Sequence, residues 1–204
     1  MVSAPLDRNI IRNLYKQGKS LPLVATELRC SVHKVVYWMT KYNIPRRSRS
    51  DAVYRMYNPS GDPFKIKSHM TKEDVLLFGL GMGIYLGEGN KVAKHSLRIA
   101  NTNPLILKLF IKFLKDICQF RKDRMSYSIV CFHDTKPDVA RVYWSEQLRI
   151  SPEKFGRITR IPTQGKGTYR RKSEYGVCTI QANNIKLTAW LREKIRNLET
   201  TLPR

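Results

Sequence analysis

The stretch of chain that decides the fold runs from residue 75 to residue 89 and reads VLLFGLGMGIYLGEG. It follows the tetrapeptide TKED at 71–74, in which a threonine precedes an acid by three residues, the pattern of a helix N-terminal capping box. The apolar run is therefore predicted to be one long helix that begins after Thr71. Glycines stand at positions 79, 81, 83 and 87, although each costs a helix roughly 1 kcal/mol relative to alanine.

Three of these glycines share one face of the predicted helix. Gly79, Gly83 and Gly87 are four residues apart, and a bare helix face allows a second backbone to approach closely. We expect this face to form the interface of a homodimer. The rival interpretation is a nucleotide-binding loop. It is not supported, because the stretch matches neither G-x-G-x-x-G nor the phosphate-loop pattern that ends in Gly-Lys-Ser/Thr.

Glu88 ends the predicted helix, just before Gly89 and Asn90. A carboxylate at a helix C-terminus faces the negative end of the helix dipole, which is unfavourable without a cation. If two such helices pack together, their Glu88 carboxylates approach each other, and oxygen ligands that converge on phosphate oxygens suit Mg²⁺. We therefore expect a divalent-metal site at Glu88 and the adjoining Gly87. The alternative is that Glu88 is an ordinary polar residue at a helix end.

The first sixty residues have the spacing of three short helices. Apolar residues recur at helical intervals over 6–17, 21–28 and 32–42, with Gly18 ending the first segment and Ser31 suited to be the N-cap of the third. Two short helices joined by a tight turn, followed by a third helix, is the helix-turn-helix plan of DNA-binding proteins. The alternative is a three-helix domain used for protein contacts.

The third helix is predicted to read DNA through its outward side chains. These are Ser31, His33, Lys34, Tyr37, Trp38 and Lys41. Its inner face is predicted to hold Val32, Val35, Val36 and Met39. After Pro45 comes a basic segment that could follow the DNA backbone or enter a minor groove, or could be a plain solvated charge run; it contains Arg46, Arg47 and Arg49. Residues 57–70 contain Pro59, Gly61 and Pro63 and are interpreted as a linker between domains.

The remaining chain fits an α+β layer. Strands are predicted over 96–101 and 125–132, a further strand pair over 157–161 and 175–182, and helices over 105–118, 137–148 and 184–198. Polar strand positions are candidate base-reading residues: Arg98, Ser126, Ser128, Arg157, Thr179 and Gln181.

Residues 162–174 read PTQGKGTYRRKSE and are predicted to be a basic loop at the rim of a DNA-facing sheet. The phosphate-contacting candidates in this loop are Lys166, Arg170, Arg171 and Lys172, and the candidates for a catalytic role near the cleaved phosphate are Gln164 and Lys166. The alternative is a solvated hairpin.

The charge of the chain favours a polyanionic partner. Among 204 residues, Lys and Arg total 38 against 16 Asp and Glu, a formal net charge of +22, whereas solubility of a small domain needs only about 2–8. Both the first sixty residues and the remainder carry an excess of cations. We expect binding to double-stranded DNA and no membrane partner, because the longest apolar run, 75–87, is too short to cross a bilayer.

The cysteines and histidines are not spaced as metal ligands. The four cysteines lie in apolar patterns without a C-x-x-C pair; they are Cys30, Cys118, Cys131 and Cys178. This favours reduced core thiols in a cytoplasmic protein, associated with the nucleoid if the source is prokaryotic. An organelle is the alternative location. The scattered histidines have no zinc-site spacing; they are His33, His69, His95 and His133.

The segment GMGIYLGEG at 81–89 resembles a degenerate LAGLIDADG motif, the signature of one class of homing endonucleases. The match lies at Gly83, Gly87, Gly89 and the final acid, Glu88, and the following SLRIANTNP at 96–104 is similar to the strand-to-helix passage found after that motif. Two positions depart from the family pattern: Leu86 replaces the earlier acid, and glutamate stands where aspartate is usual.

The resemblance implies a fold, a site and an activity. Single-motif members form homodimers with an αββαββα core, lay a saddle of antiparallel strands into the DNA major groove, and bind divalent metal through the final motif acid, here Glu88. Together with the helix-turn-helix spacing of the first sixty residues, the expected organisation is a helix-turn-helix domain with a basic arm over 1–56, a linker over 57–70 and a LAGLIDADG-like domain over 71–204. The expected activity is Mg²⁺-dependent, site-specific DNA hydrolysis. A non-catalytic DNA-binding regulator and an RNA maturase remain the alternatives.

Overall fold

The structure is a computed structural model that describes residues 4–132, 135–156, 158–162 and 173–201. The fold is of the mixed α+β class, and its contacts divide the chain into two compact units. The first unit ends at Asp62 and the second begins at Pro63, within the segment predicted to be a linker.

The first unit is helical. It contains α1 (Arg8–Lys16), α2 (Leu21–Glu27), α3 (Val32–Lys41) and α4 (Arg49–Tyr57). Side-chain oxygens of Asp7, Ser20, Ser31 and Ser48 accept hydrogen bonds from backbone amides at the four helix starts. The core of the unit consists of Ile11, Tyr15, Val24, Ala25, Val35, Trp38 and Met39.

The helix α4 is a correction to the sequence analysis. Residues 49–57 were expected to continue a basic segment into a linker, but Ser48 caps a nine-residue helix whose side chains include no buried residue. Its formation is local, because the Ser48 hydroxyl accepts from the Asp51 amide at 3.1 Å and donates to the Asp51 carboxylate at 2.6 Å.

The second unit contains four helices and four strands within its described residues. These are α5 (Lys72–Glu88), β1 (Ser96–Asn101), α6 (Pro104–Lys112), β2 (Met125–Phe132), α7 (Pro137–Leu148), β3 (Thr159–Ile161), β4 (Val177–Asn183) and α8 (Ile185–Thr201). A π-helical turn, Phe113–Ile117, continues α6.

The chain joins the second unit before α5, so residues 63–70 are not a linker. The backbone amides of Lys65 and Lys67 donate to the carbonyls of Cys118 and Ile117 at 3.0 and 2.9 Å. Phe64, Ile66 and Met70 pack on the core of this unit. These three side chains lie along a short extended segment. An apolar pattern this short is not distinguished from a linker by sequence spacing alone.

The four strands form one sheet in the order β1-β4-β2-β3. β4 is antiparallel to both β1 and β2, whereas β3 runs parallel to β2. The predicted purely antiparallel sheet is therefore wrong, as is the predicted pairing of 157–161 with 175–182. The reason is that α7 lies between β2 and β3, and a crossover of this length allows the returning strand to run parallel to its neighbour.

The order of elements also differs from αββαββα. Between α5 and β1, where that order has a first strand, there is only an isolated antiparallel bridge from Gly89 to Ile99. In the second half, α7 and β3 stand between β2 and β4. The bridge nevertheless ties the end of α5 to β1, which places residue 88 at the edge of the sheet.

The core of the second unit lies between one face of the sheet and the helices. The helix α5 contributes Leu77, Met82 and Tyr85, and Gly81 lies so close to the π-helical turn that a Cβ there would be 2.2 Å from Cγ of Phe113. Burial raises the pKa of the Cys118 and Cys178 thiols to about 12. These two cysteines are unreactive core residues.

Candidate nucleic-acid interface and acidic site

The polar face of the sheet brings three predicted base-reading residues into one row. In the β1–β4 ladder Arg98 lies opposite Gln181, and in the β4–β2 ladder Gln181 lies opposite Ser126. Opposite residues of an antiparallel pair have Cβ atoms roughly 4.5–5.5 Å apart. We call Arg98, Gln181 and Ser126 the polar row.

A second row lies one pleat along the same face. It consists of Ala100, Thr179 and Ser128 in register. Thr179 is only 3 % exposed, so its hydroxyl is not available as predicted, because it stands on the central strand between two neighbours. The accessible recognition groups of the face are therefore those of the polar row together with Ser128, which is half-buried as Gln181 is.

The chemistry of the polar row suits base edges. The Arg98 side chain is exposed and has no hydrogen-bond or ion-pair partner within the described chain, while the Gln181 side chain is half-buried and donates to Oδ1 of Asn183 at 2.6 Å. Arginine pairs in bidentate fashion with guanine, and glutamine with adenine, in the major groove. Sequence alternation identified these residues, and the strand register adds that they are neighbours.

Several predicted site residues lie outside the described residues. This applies to Arg157, Gln164, Lys166, Arg170, Arg171 and Lys172. The roles proposed for Arg157 and for the basic loop at 162–174 therefore stay predictions.

Glu88 is the last residue of α5 and is exposed to solvent. The following residues run along β1, since the amide of Asn90 donates to the carbonyl of Arg98 at 2.9 Å. The acid therefore adjoins the strand that carries Arg98. A Cβ at position 89 would lie 2.3 Å from the carbonyl oxygen of Tyr85, so this passage from helix to strand requires glycine.

The segment after Glu88 is held by side chains that the sequence analysis did not identify. The hydroxyl of Tyr85 donates to the carbonyl of Asn90 at 3.1 Å, and Oδ1 of Asn90 accepts from two further amides of the loop. Arg192 on α8 donates to the carbonyls of Lys91 and Ala93 at 2.6 and 2.8 Å. The amine of Lys91 donates to the carbonyl of Leu86 and so caps the C-terminal end of α5.

The acidic site of one chain supplies a single carboxylate. Neither the Glu88 carboxylate nor the Gly87 carbonyl accepts a hydrogen bond from the part of the chain that is described. The same part contains no group of three or more His, Cys, Asp and Glu that could hold a metal ion. Mg²⁺ is commonly held by one or two carboxylates together with substrate phosphates. These two oxygen donors would suit Mg²⁺ only if a further carboxylate and phosphate oxygens completed its coordination.

One face of α5 is apolar and open. Leu76 is 65 % exposed, Leu80 is exposed, and a Cβ added at Gly79, Gly83 or Gly87 would have nothing within 4 Å. We call these five residues the open face of α5. A helix that is apolar on all sides is normally buried on all sides. The open face therefore has the composition of an interface but has no partner among the residues that the structure describes.

The exposed side of α3 in the first unit is narrower than predicted. His33, Tyr37 and Lys41 are exposed at intervals of four residues. Trp38 is only 5 % exposed and belongs to the core, and Val32, expected inside, is exposed. The helix is thus rotated slightly from the predicted orientation, because Trp38 packs on Tyr42 at 5.3 Å between ring centroids.

The remaining predicted contacts of α3 divide between capping and solvent. The Ser31 hydroxyl accepts from the Lys34 amide at 3.2 Å, so it serves the helix start, and Lys34 is half-buried. The amine of Lys41 lies 4.8 Å from the centroid of the Trp38 ring. This cation is held against the helix surface by the aromatic face.

Arg47 has a structural role in place of the predicted DNA contact. Its guanidinium donates to the carbonyls of Tyr15, Gly18 and Lys19 and lies 3.8 Å from the centroid of the Tyr15 ring. The neighbouring Arg46 and Arg49 are exposed. Of the three arginines, only these two keep guanidinium groups free for a ligand.

Comparison with known proteins gives no match to a family model, to a curated protein or to a solved structure. None of the helices described is long and apolar enough to cross a membrane. The charge of the chain and the geometry of the site are therefore the evidence that bears on function.

Proposed function

We propose that this chain binds specific double-stranded DNA as a homodimer and hydrolyses a phosphodiester on each strand with Mg²⁺ held by paired Glu88 carboxylates. The observation that carries the proposal is the polar row next to Glu88: Arg98 and Gln181 are in register on a sheet face, and the acid adjoins the same edge strand. This is the α5–β1 region in which the sequence resembles the LAGLIDADG motif.

The charge of the chain supports nucleic acid as the ligand. A net charge of +22 attracts phosphate polymers through release of their condensed counterions. Phosphate contacts position a protein on DNA, and side chains that reach base edges give sequence specificity. In the polar row, Arg98 and Gln181 have long side chains that could donate hydrogen bonds to base edges.

The open face of α5 supports association of two copies. Two-fold symmetry would pack this face against the same face of a second chain, as in the commonest closed oligomers. Small residues along both helices would allow their backbones to approach closely. This arrangement would bring the two Glu88 residues, one at the end of each helix, towards each other.

Glu88 and the end of α5 provide the chemistry. When bound, Mg²⁺ would activate a water molecule and stabilise the charge of the phosphate under attack. The Glu88 carboxylates would hold and orient this cation, and the negative C-terminal ends of the two helices would favour its charge. Arg98 and Gln181 would fix the position of the DNA, so that one phosphodiester of each strand lies at the acids.

The first unit would extend the recognised site. His33, Tyr37 and Lys41 form an exposed stripe of a hydrogen-bonding ring, a phenol and an ammonium along α3, in keeping with a helix that enters the major groove. This stripe does not depend on Glu88. A non-catalytic regulator built on the same chain would therefore keep its DNA binding.

The test compares wild type with Glu88→Gln on a supercoiled plasmid library, with Mg²⁺ or Mn²⁺. Glu146→Gln, an exposed acid on α7, is the matched control. We expect cutting at a defined sequence by wild type and by the control, and a loss of at least about 100-fold in rate for Glu88→Gln, in line with removal of a catalytic group. DNA binding by Glu88→Gln should persist.

Other outcomes would redirect the proposal. Sequence-selective binding without cutting by any variant, in either metal, would refute hydrolysis and favour a DNA-binding regulator. Stronger binding to a structured intron RNA than to duplex DNA at equal salt would favour the maturase alternative. Equal cutting by wild type and Glu88→Gln would refute the assigned role of the acid.

A further inference from the structure

A groove in the first unit is lined by arginines and includes none of the residues of the exposed stripe of α3. Its volume is about 640 Å³. One side is formed at the start of α2 by Ser20 and Pro22, the other by Arg46, Ser48 and Arg49, and Tyr15 lines it as well. We call it the arginine groove.

The arginine groove carries an excess of positive charge. Arg46 and Arg49 are exposed and have no hydrogen-bond or ion-pair partner among the residues described, and no carboxylate lines the groove. Arg49 is the first residue of α4, the end of a helix at which a cation is unfavourable. The nearby carboxylate of Asp51 accepts from the Ser48 hydroxyl at 2.6 Å. A bound anion would compensate the positive charge that Arg46 and Arg49 bring to the groove.

Tyr15 provides an independent sign of a ligand. Its side chain is about nine-tenths buried, and its hydroxyl oxygen accepts from the backbone amide of Arg47 at 2.8 Å. The hydroxyl proton has no acceptor within the described chain. A buried hydroxyl that accepts but does not donate has an unused donor proton, and an anionic oxygen in the groove would accept a hydrogen bond from it.

Hydrogen bonds of Arg47 hold the backbone segments that form the groove. Arg47 also lines the groove and donates to the carbonyls of Gly18 and Lys19 at 3.3 and 3.0 Å. These bonds fix the turn between α1 and α2 against the segment that carries Arg46 and Arg49. The two free guanidinium groups are thus presented from a held backbone.

We propose that the arginine groove binds one phosphate group of a nucleic-acid backbone, with Arg46 and Arg49 as its cationic ligands and the Tyr15 hydroxyl as a further donor. The inference rests on the proposed DNA binding of the chain and adds a defined phosphate contact to it. Guanidinium groups match phosphate oxygens in bidentate geometry. A free phosphate ion has the same chemistry, and the test distinguishes the two sources.

The test measures the affinity of the full chain for a random-sequence DNA duplex over a series of salt concentrations. The variant Arg46→Gln/Arg49→Gln removes both ligands, and Arg8→Gln/Arg12→Gln removes two exposed, unpaired arginines of α1 from the same unit. Each phosphate contact contributes about 0.9 to the slope of log affinity against log salt. We expect the groove variant to lower the magnitude of the slope by about 0.9, the value for one phosphate contact. The control should leave the slope unchanged.

The outcomes separate this inference from the proposed function. Equal losses of slope in both double variants would show a general effect of charge and overturn the groove as a site. An unchanged slope in the groove variant would also overturn it, while wild-type DNA binding stands. If wild type binds inorganic phosphate with shifts in the Arg46 and Arg49 resonances but does not bind DNA, both the backbone-phosphate assignment and the proposed function are wrong. Circular dichroism checks that each variant is folded.

Discussion

The two faces of α5 have similar composition and different surroundings. The inner face packs Leu77, Met82 and Tyr85 into the core, and Gly81 is in close contact with Phe113. The open face is also built from leucine and glycine, yet its glycines have no neighbour that a Cβ would meet. One glycine is therefore explained by packing within the chain, and the other three are not.

The contrast shows that a glycine in a helix indicates close packing only where a neighbour occupies the space of the missing Cβ. Each of these glycines lowers helix stability by roughly 1 kcal/mol relative to alanine. At Gly81 the cost is offset by close packing of α5 on the π-helical turn. At Gly79, Gly83 and Gly87 the described part of the chain offers no compensating contact, and the proposed dimer would supply one. The following predictions test this contrast.

The largest effect is expected for Gly83→Arg on the open face. In a two-fold interface both copies of the new cation would be buried next to each other. An uncompensated buried charge costs about 3–5 kcal/mol, which corresponds to association weakened by at least about 100-fold. Sedimentation velocity over a concentration series measures the dissociation constant. The monomer itself should not be destabilised, because arginine is a better helix former than glycine by up to about 1 kcal/mol, so its midpoint of urea unfolding should stay the same or rise.

Gly79→Ala is the mild control at the same face. A methyl group adds helix propensity where nothing opposes it, so the isolated chain should gain up to about 1 kcal/mol of stability. If wild type stays monomeric at every concentration, with and without duplex DNA, the interface assigned to the open face is wrong. If Gly83→Arg dimerises as tightly as wild type, the dimer uses another surface.

Gly81→Ala makes the same chemical change on the inner face and should have the opposite sign. The new Cβ would lie 2.2 Å from Cγ of Phe113 and 2.7 Å from its Cβ, at the base of that side chain. Overpacking of this kind costs about 1–3 kcal/mol or more, which exceeds the gain in propensity. We expect a net loss of about 2 kcal/mol, measured by urea unfolding.

Tryptophan fluorescence is a suitable signal for this comparison, because Trp144 and Trp190 belong to the second unit. Equal effects of Gly79→Ala and Gly81→Ala would contradict the assignment of the two faces. A stabilising Gly81→Ala would show that Phe113 moves aside at little cost.

Most helices could be predicted from sequence, but their orientation could not. The capping box at Thr71 and Asp74 forms as predicted, and the first three helices have nearly the predicted bounds. Which side of α3 is buried depends on Trp38, a large side chain at the border of the apolar stripe. Spacing allows either side for it, and the contact with Tyr42 decides. Helix α4 escaped prediction because it buries no residue.

The site was predicted in part for a similar reason. Alternation along single strands identified Arg98, Ser126 and Gln181, because the period of a strand is local. Their register is a contact between distant segments, and so is the parallel pairing of β3, which sequence spacing does not determine. Arg47 was assigned to DNA because its carbonyl acceptors lie in another part of the chain. Arg192, which holds the loop after Glu88, was missed on the same grounds.

The smallest effect is expected at the N-terminal end of the inner face of α5. The Lys67 ammonium donates to the Asp74 carboxylate at 2.6 Å, and the Thr71 amide donates to it at 2.9 Å; together they lower the pKa of Asp74 below its usual 3.8. A carboxylate with a lowered pKa stabilises the folded state at pH values above its unfolded pKa, and this contribution is lost as pH falls through the folded pKa.

Asp74→Asn should therefore be less stable than wild type near neutral pH, and the difference should shrink as pH falls below 3.8. The measurement is the urea midpoint of both proteins at a series of pH values. Glu73→Gln is the control: the pKa of Glu73 is also lowered, first by a backbone amide at the helix start, but its side chain lacks the bond to Lys67. A difference between Asp74→Asn and wild type that persists in acid would mean that Asp74 acts through packing, because a neutral asparagine would then fail to replace a protonated acid at the same position.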